Sequence, residues 1–335
     1  MQRNHRIQAD KLCWRILAEG APKPKETYDL AVAYLEGGAT YYVADRVKAR
    51  KKAAFVHIDY QKAGYGKDLD LDCYRKMDVV FSGDLLNQCI GSAFTMRNTG
   101  TPHLGLYGAC STMAESLLLA SLAVSAGIAD RAAAMTSSHF ASSERQYRFP
   151  LGYGGQRTPT AQWTVTGSGA ALVCSQGTGP KITACTIGSV TDLGIQDANN
   201  MGAAMAPAAF ATIRQHLQDL QRTPEDYDLI VTGDLGQYGK ELLLEIGRRE
   251  GLSLGGKLAD CGCMVFDNTR QDVHAGGSGC GCSAITLCGH LLGELSARKL
   301  KRILFCGTGA LLSPTSTQQG LPIPGVCHAV VIEGG

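Results

Sequence analysis

The chain has 335 residues, of which 44% are hydrophobic and 19% are charged, and its net charge is +2 at pH 7. The length predicts about two domains. The charged fraction is below the roughly 25% of an average domain, which predicts extensive buried surface. A nearly neutral chain has no basic footprint, so the composition excludes nucleic acid and anionic lipid as expected partners.

The first twenty residues are charged and lack the central apolar stretch of a secretory signal. The 13 cysteines show no evenly spaced disulfide pattern, which predicts free thiols in a reducing compartment. The longest apolar run, Ser116–Ala129, has about 14 residues, fewer than the roughly 20 that span a bilayer. It therefore predicts a helix buried in protein, and no transmembrane segment is expected.

Two short apolar segments that end in Gly-Asp-Leu are predicted to be buried parallel strands. They are Met77–Leu85 and Tyr227–Leu235. Asp84 and Asp234 hold equivalent positions at the ends of these strands. They are either ordinary turn residues or, if functional, a pair related by the internal repeat.

Cys110 lies in Gly-Ala-Cys-Ser-Thr, directly before the predicted buried helix. A thiol at a helix N-terminus has a lowered pKa and can act as a nucleophile. The same helix-start amides, with Ser111, could instead hold the carboxylate of a ligand. A third interpretation is a small buried cysteine that fills the turn.

A cysteine nucleophile needs a base and an oxyanion stabiliser. His139 follows the predicted strand Arg131–Ser138 and is a candidate for a cleft at the end of that strand. His274 precedes a glycine-rich loop in which Gly277 lets the backbone approach a ligand closely. An ordinary loop histidine is the alternative for His139.

The last predicted strand, Arg302–Gly309, contains Cys306, which the repeat places opposite Cys110. Further upstream, the segment from residue 143 to residue 157 mixes arginine, aromatic residues and glycine. Its planar guanidinium groups, Arg145 and Arg148, suit a flat anionic ligand. A solvated loop with surface ion pairs is the alternative for this segment.

The pairs Cys261-Gly-Cys263 and Cys280-Gly-Cys282 raise the question of a four-thiolate metal site. Their Cys-x-Cys spacing differs from the Cys-x₂-Cys of common zinc sites. The second pair also belongs to a repeated turn that begins a helix. No metal site is therefore expected.

The order strand, loop, small-residue turn, buried helix, strand occurs twice along the chain. This repeat predicts an α/β fold of two duplicated halves, with mostly parallel sheets covered by helices. The halves are residues 1–178 and 179–335, with a connection near Thr178–Lys181. The site is expected where the carboxyl ends of the strands converge. Two unrelated α/β domains are the alternative.

Ten sequence strings together resemble the stage V sporulation protein AD family. They are Gly83-Asp-Leu-Leu-Asn-Gln88, Leu104-Gly-Leu-Tyr-Gly-Ala-Cys-Ser-Thr112, Ser137-Ser-His139, Glu144-Arg-Gln-Tyr-Arg148, Tyr153-Gly-Gly-Gln156, Thr164-Val-Thr-Gly-Ser-Gly169, Met205-Ala-Pro-Ala-Ala209, Asp260-Cys-Gly, Ala275-Gly-Gly-Ser-Gly-Cys280 and Gly307-Thr-Gly-Ala-Leu-Leu-Ser-Pro314. The resemblance covers about Met77 to Glu333.

The resemblance implies a thiolase-like fold and a role in spore formation. The implied function is to bind dipicolinic acid (pyridine-2,6-dicarboxylate), alone or as its calcium chelate, and to support its uptake into the developing spore. The implied partners are a second copy of the chain and other proteins of the membrane-associated stage V sporulation A complex. The implied location is the developing spore, in its cytoplasm or peripherally at its inner membrane. No cofactor is implied.

The ligand-binding residues expected from the motifs and from the resemblance form one set. They are Asp84, Asn87, Cys110, Ser111, His139, Arg145, Arg148, Asp234, His274, Gly277 and Cys306.

Two departures from true thiolases favour binding without acyl transfer. Condensing enzymes place a His or Asn where this chain has Asp234, and an ionised aspartate cannot donate a hydrogen bond to a thioester carbonyl. The glycine-rich loop also lacks the Gly-His-Pro of thiolases. The alternatives are an acyl transferase of the thiolase or β-ketoacyl-synthase type with Cys110 as nucleophile, and a structural subunit with a vestigial cleft.

Residues 1–76 depart from the sporulation family as well. An opening strand and a helix are expected there, but only Lys62-Ala-Gly-Tyr-Gly-Lys67 is similar to the family. The segment is either diverged or read from a shifted frame, and resequencing that part of the gene distinguishes the two.

Overall fold

A computed structural model describes the chain in four ranges. They are residues 27–33, 48–54, 77–147 and 156–335. The chain divides into two compact units, one of Met1–Lys76 with Phe94–Gly100 and the other of Met77–Ala93 with Thr101–Gly335. In the first unit, β1 (Thr27–Ala33) pairs in parallel with β2 (Lys48–Ala54). Residues 1–76 were expected to depart from the family, and apart from these two strands they lie outside the described residues.

From residue 77 onward, strands and helices alternate along the chain. The strands are β3 (Val79–Asp84), β4 (His103–Leu106), β5 (Arg131–Ser138), β6 (Trp163–Thr164), β7 (Gly167–Cys174), β8 (Lys181–Thr186), β9 (Leu229–Thr232), β10 (Leu258–Asp260), β11 (Gly277–Ser278), β12 (Arg302–Ala310) and β13 (Gly325–Glu333). The helices are α1 (Ile90–Met96), α2 (Thr112–Ser125), α3 (Phe140–Tyr147), α4 (Met201–Asp219), α5 (Gly236–Arg249), α6 (Cys261–Met264), α7 (Cys280–Thr286), α8 (Leu292–Ser296) and α9 (Pro314–Gln318). A π-helical segment, Leu287–Leu291, joins α7 to α8.

The two main sheets repeat one strand arrangement. The first sheet has the order β4-β3-β5-β7, and the second has the order β10-β9-β12-β13-β8. In each sheet the first three strands are parallel and the next is antiparallel. The predicted duplication is therefore confirmed: β3 corresponds to β9, and β5 corresponds to β12. The predicted boundary at residues 178 and 179 lies in the connection between β7 and β8.

A short parallel pair of strands links the two halves. β6, just before the last strand of the first sheet, pairs with β11 of the glycine-rich loop, so that Trp163 lies opposite Gly277 and Thr164 opposite Ser278. Backbone hydrogen bonds from Trp163 N to Gly276 O and from Val165 N to Ser278 O extend this contact. The pair fixes the glycine-rich loop of the second half against the first half.

The central core lies between the two sheets and contains α2 and α7. Met113 and Leu117 of α2 pack with Leu287 and with strand residues of both sheets, including Phe81 and Phe305. Because α2 is enclosed on most sides, it is apolar around most of its circumference. The prediction of a buried helix in the apolar run is confirmed. Across the described ranges, no helix is both long enough and apolar enough to cross a bilayer.

A second core covers the other face of the second sheet. Here α4 and α5 pack on Ile230, Leu304 and Val331, whereas the alternate residues Val231 and Phe305 face the central core. This alternation follows from the period of two in a strand. Both faces of the second sheet are therefore buried, which explains its continuous apolar strands.

A buried histidine joins α4 to the strand layer. His216 is fully buried, and its two ring nitrogens hydrogen-bond the hydroxyl groups of Thr186 and Tyr227, each at 2.7 Å. Burial lowers the pKa of His216 to about 4, and the positive charge of Arg222 acts in the same direction. The folded protein thus keeps this imidazole neutral in weakly acidic solution.

This neutral histidine predicts an acid-dependent loss of stability. The unfolded state takes up a proton near the ordinary pKa of 6.5, whereas the folded state takes it up only near 4. Stability is therefore fully present above pH 6.5 and falls by up to about 3 kcal/mol as the pH drops to 4. Urea unfolding of wild type and His216→Gln between pH 7 and pH 4 measures this contribution. The stability advantage of wild type is expected to shrink with falling pH, and a constant difference would contradict the assignment.

Candidate functional site

A cleft opens at the carboxyl ends of strands from both sheets. Its empty volume is about 410 Å³, which includes the open mouth. The lining residues are Leu85, Ala109, Cys110, Ser143, Tyr147, Thr164, Met201, Ser278, Ala310 and Leu312. Leu85 directly follows β3, and Ala310 is the last residue of β12. The cleft therefore lies where duplicated α/β halves are expected to place a ligand site.

Cys110 forms part of the cleft wall at the start of α2. It lies in a 3₁₀ turn, Ala109–Ser111, that leads directly into the helix. Ala109 has φ of +53°, a conformation that costs energy for a residue with a side chain. The sulfur is mostly buried and packs beside Leu85 and Cys280. Cys110 is thus mostly buried, yet it is one of the residues that line the cleft.

The turn at Cys110 is supported by β12 of the second sheet. A Cβ atom on Gly309 would lie only 2.9 Å from the carbonyl oxygen of Gly108, and one on Gly307 only 2.6 Å from Cβ of Ala114. The Ser111 hydroxyl donates to the Gly108 carbonyl oxygen at 2.6 Å. Ser111, a predicted ligand residue, is fully buried and does not line the cleft.

The two repeat-related aspartates have structural contacts and do not line the cleft. Asp84 accepts hydrogen bonds from the backbone N–H groups of Leu86 at 2.9 Å and Ser92 at 2.7 Å, so it orders the loop that leads into α1. Asp234 accepts from Gly279 N at 2.7 Å and from Thr308 Oγ1 at 3.0 Å. Asp234 therefore fixes the glycine-rich loop to β12.

Asp260 is a buried acid that was not singled out from the sequence. It accepts hydrogen bonds from Thr232 Oγ1, Leu235 N and Gly236 N at 2.7–3.0 Å. Burial raises the pKa of Asp260 to about 6, even though these hydrogen bonds lower it. The Asp260 carboxylate orders the turn after β9. The string Asp260-Cys-Gly, which contributes to the family resemblance, is the sequence signal that could have identified this residue.

Neither predicted histidine lines the cleft. His139 is exposed at the end of β5, and its carbonyl oxygen accepts from Ser143 N at 3.0 Å in the first turn of α3. His274 Nδ1 hydrogen-bonds the carbonyl oxygen of Thr158 at 2.7 Å, and His274 Nε2 lies 3.0 Å from a carboxylate oxygen of Asp272. Through these contacts His274 stabilises the start of the glycine-rich loop.

Cys306 faces the second core and not Cys110. It is fully buried, and its hydrogen bond with Cys327, together with burial, raises the pKa of the thiol well above its ordinary value. The residue beside Cys110 is Cys280, which the repeat places at the equivalent helix start. Cys280 Sγ donates to Ser137 O at 3.1 Å. Gly277 is buried, and its carbonyl oxygen accepts from the Gln162 side chain.

Arg145 lies on α3, but its side chain and the whole of Arg148 are outside the described residues. Their predicted contact with an anionic ligand stays a prediction.

Asn87 is exposed next to the cleft rather than in its wall. Its side-chain oxygen accepts from Tyr107 Oη at 2.9 Å and Gln146 Nε2 at 3.0 Å.

The side chains that do form the polar wall were mostly not predicted. Ser143 and Tyr147 of α3, Thr164 of β6 and Ser278 of β11 line the cleft. Tyr147, Thr164 and Ser278 lay within strings that carried the family resemblance, which is the signal that could have found them. Burial, and then hydrogen bonding with Tyr107, raise the pKa of Tyr147, so it is a neutral phenol at physiological pH.

The described lining of the cleft is chemically simple. It contains one thiol and several hydroxyl groups, and neither His139 nor His274 is part of it. Within the ranges given above, no group of three or more His, Cys, Asp or Glu side chains is arranged to hold a metal ion. The described wall thus supports noncovalent recognition by apolar contact and hydrogen bonds.

Comparison with known proteins identifies relatives in sequence and in fold. Residues 56–333 match the family described as Stage V sporulation protein AD (SpoVAD). The chain is 46% identical to the Stage V sporulation protein AD of Bacillus subtilis (strain 168) over 278 residues, which cover 83% of this chain and 80% of that protein.

Among solved structures, the chain resembles the tetronic acid condensing enzyme AbyA1, with a TM-score of 0.52, 16% identity and 82% of each chain covered. Human mitochondrial 3-ketoacyl-CoA thiolase matches with a TM-score of 0.48 and 13% identity, over 78% of this chain and 88% of that one. The first likeness, at low identity, shows a shared fold. The extent of the family match and the identity to the Bacillus subtilis protein show that this chain, a sporulation protein of thiolase-like fold, belongs to the stage V sporulation protein AD family.

Proposed function

We propose that this protein binds dipicolinic acid in the Cys110 cleft and supports its uptake into the developing spore. The observation that carries the proposal is the cleft itself, at the meeting point of the two halves and with Cys110 in its wall. A largely apolar cleft with a few hydroxyl groups is a common environment for a small ring-shaped ligand. The resemblance supplies the identity of the ligand.

The charge of the ligand requires a partner that the described wall does not contain. Dipicolinate carries two carboxylates, whereas none of the described lining residues carries a charged side chain. An isolated anion is costly to place in such a cleft. We infer that Arg145 or Arg148 neutralises it, or that calcium enters with it as the chelate.

Calorimetry with dipicolinate, with and without calcium, tests binding in the purified protein. Cys110→Phe adds a ring to the cleft wall and is expected to weaken binding at least tenfold, because a ligand cannot share the space with the ring. Cys306→Ala is the matched control: this cysteine is buried in the second core, so affinity should stay within about twofold. Circular dichroism verifies that both variants are folded.

A wild-type protein that gives no heat of binding at millimolar ligand would contradict the proposal. Equal loss of affinity in both cysteine variants would show that the cleft is not the binding site. A covalent acyl adduct on Cys110 after incubation with acyl-CoA, detected by mass spectrometry, would favour the acyl-transferase alternative instead.

The proposal extends to partners. We infer a homodimer through strand β4, which lies at one end of its sheet. Leu104 on this strand and Tyr107 just after it are both exposed, and exposed apolar groups at a sheet edge are typical of strand pairing. We also propose that the protein docks on other proteins of the stage V sporulation A complex at the inner membrane of the developing spore.

A further inference from the structure

We propose that Ser143 is a ligand-binding residue whose hydroxyl group donates a hydrogen bond to a carboxylate oxygen of the molecule bound in the Cys110 cleft. This inference rests on the proposed function and adds one specific recognition contact to it. Ser143 was not among the residues expected from the sequence. It is identified by its burial and because its Oγ atom finds no hydrogen-bond partner in the part of the chain that the structure describes.

The evidence is an unsatisfied polar group in the wall of the cleft. Ser143 is only 4% exposed, and its Oγ atom is buried without a hydrogen-bond partner among the described residues. Its side chain also lines the cleft. Buried hydroxyl groups are almost always hydrogen-bonded, because a buried group without a partner loses the hydrogen bonds that water would provide. A ligand in the cleft would supply the missing partner.

Three neighbouring hydroxyl groups are already hydrogen-bonded within the protein. Thr164 Oγ1 donates to Glu144 Oε1 at 2.9 Å, and Tyr147 Oη donates to the carbonyl oxygen of Leu85. Ser142 Oγ, one residue before Ser143, donates to His139 O at 3.1 Å. These groups are used within the protein, whereas the Ser143 hydroxyl keeps its donor available.

The position of Ser143 on α3 suits contact with a ring-shaped ligand. Ser143 and Tyr147 are four residues apart, which places them on the same face of the helix. Both side chains line the cleft opposite the start of α2. A ligand could therefore contact the aromatic side chain of Tyr147 while one of its carboxylates accepts from Ser143. A hydrogen bond to an ionised acceptor is stronger than one between neutral groups, so this contact should contribute clearly to affinity.

Calorimetry with dipicolinate on the full chain tests the assignment, using wild type, Ser143→Ala and Ser142→Ala. Loss of a hydrogen bond to a charged group is expected to raise the Kd of Ser143→Ala about tenfold to a hundredfold. Ser142→Ala, the matched control on the same helix, should stay within about twofold of wild type. The Tm of Ser143→Ala should equal or exceed that of wild type, because the change removes a buried hydroxyl group that has no partner.

The possible outcomes separate this inference from the proposed function. Wild type that binds no dipicolinate would overturn both. Wild type that binds, with Ser143→Ala binding equally well, would overturn only the role of Ser143. A Tm of Ser143→Ala several degrees below wild type would show that the hydroxyl group is bonded within the protein, and would also overturn the assignment.

Discussion

Gly83→Ala is expected to destabilise the protein by about 3 kcal/mol or more, whereas Gly233→Ala should cost about 1 kcal/mol. The two glycines are equivalent in the repeat, at the ends of β3 and β9. A Cβ atom on Gly83 would lie 2.1 Å from the carbonyl oxygen of Leu106 and 2.6 Å from Cγ2 of Thr112. The nearest atom to a Cβ on Gly233 is the backbone nitrogen of Thr308 at 3.0 Å. Only Gly83→Ala would press a new Cβ atom against the Leu106 backbone in β4 and against Thr112 at the start of α2.

Urea unfolding followed by circular dichroism measures both effects. Gly179→Ala is the matched control, because nothing lies within 4 Å of its Cβ position, and it should change stability by less than about 0.5 kcal/mol. Since β3 and α2 flank Cys110, Gly83→Ala is also expected to weaken dipicolinate binding. Equal costs at Gly83 and Gly233 would contradict the close approach between β3 and β4.

Asp234→Ala is expected to lower the free energy of unfolding by about 3 kcal/mol. The carboxyl group is fully buried and accepts from Gly279 N and Thr308 Oγ1, so its removal leaves two buried donors without this acceptor. Each such donor costs about 1–3 kcal/mol. Asp234→Asn keeps one acceptor oxygen and should cost less, about 1–2 kcal/mol.

Urea unfolding again provides the measurement, with Asp192→Ala as the control. Asp192 is exposed and, among the described residues, accepts a hydrogen bond from the nearby Gly194 N alone, so its loss should cost less than about 1 kcal/mol. An Asp234→Ala protein as stable as wild type, but unable to bind dipicolinate, would place Asp234 in the ligand site instead. That result would restore the role first expected from its place in the repeat.

The repeat explains why so much of the fold was predictable. Strands β3 and β9 are almost wholly buried, and their residues before Gly-Asp are apolar except for Ser82 and Thr232. The small residues around Cys110 and Cys280 likewise mark two equivalent helix starts. A buried element leaves a strong pattern in the sequence, since every position must be apolar or small.

The candidate site was harder to predict because the role of each residue depends on the direction in which its side chain points. Cys306 and Phe305 are adjacent in β12, yet they face different cores. His139 directly follows β5, but the chain turns at once into α3 and leaves His139 exposed. Ser143 resembles any other helix serine in the sequence. The role proposed for it rests on a buried Oγ atom with no hydrogen-bond partner within the described ranges, which only the folded arrangement reveals.

The sequence by itself determined the duplicated α/β fold, the family and the place of Cys110 before a buried helix. These features follow from hydrophobic periodicity and from residue types that are local along the chain. The tertiary structure decided which polar side chains face the cleft and which support its loops, as for Ser143 and Asp234. Those roles depend on hydrogen bonds between residues far apart in the chain, and no local pattern records the partner of a buried polar group.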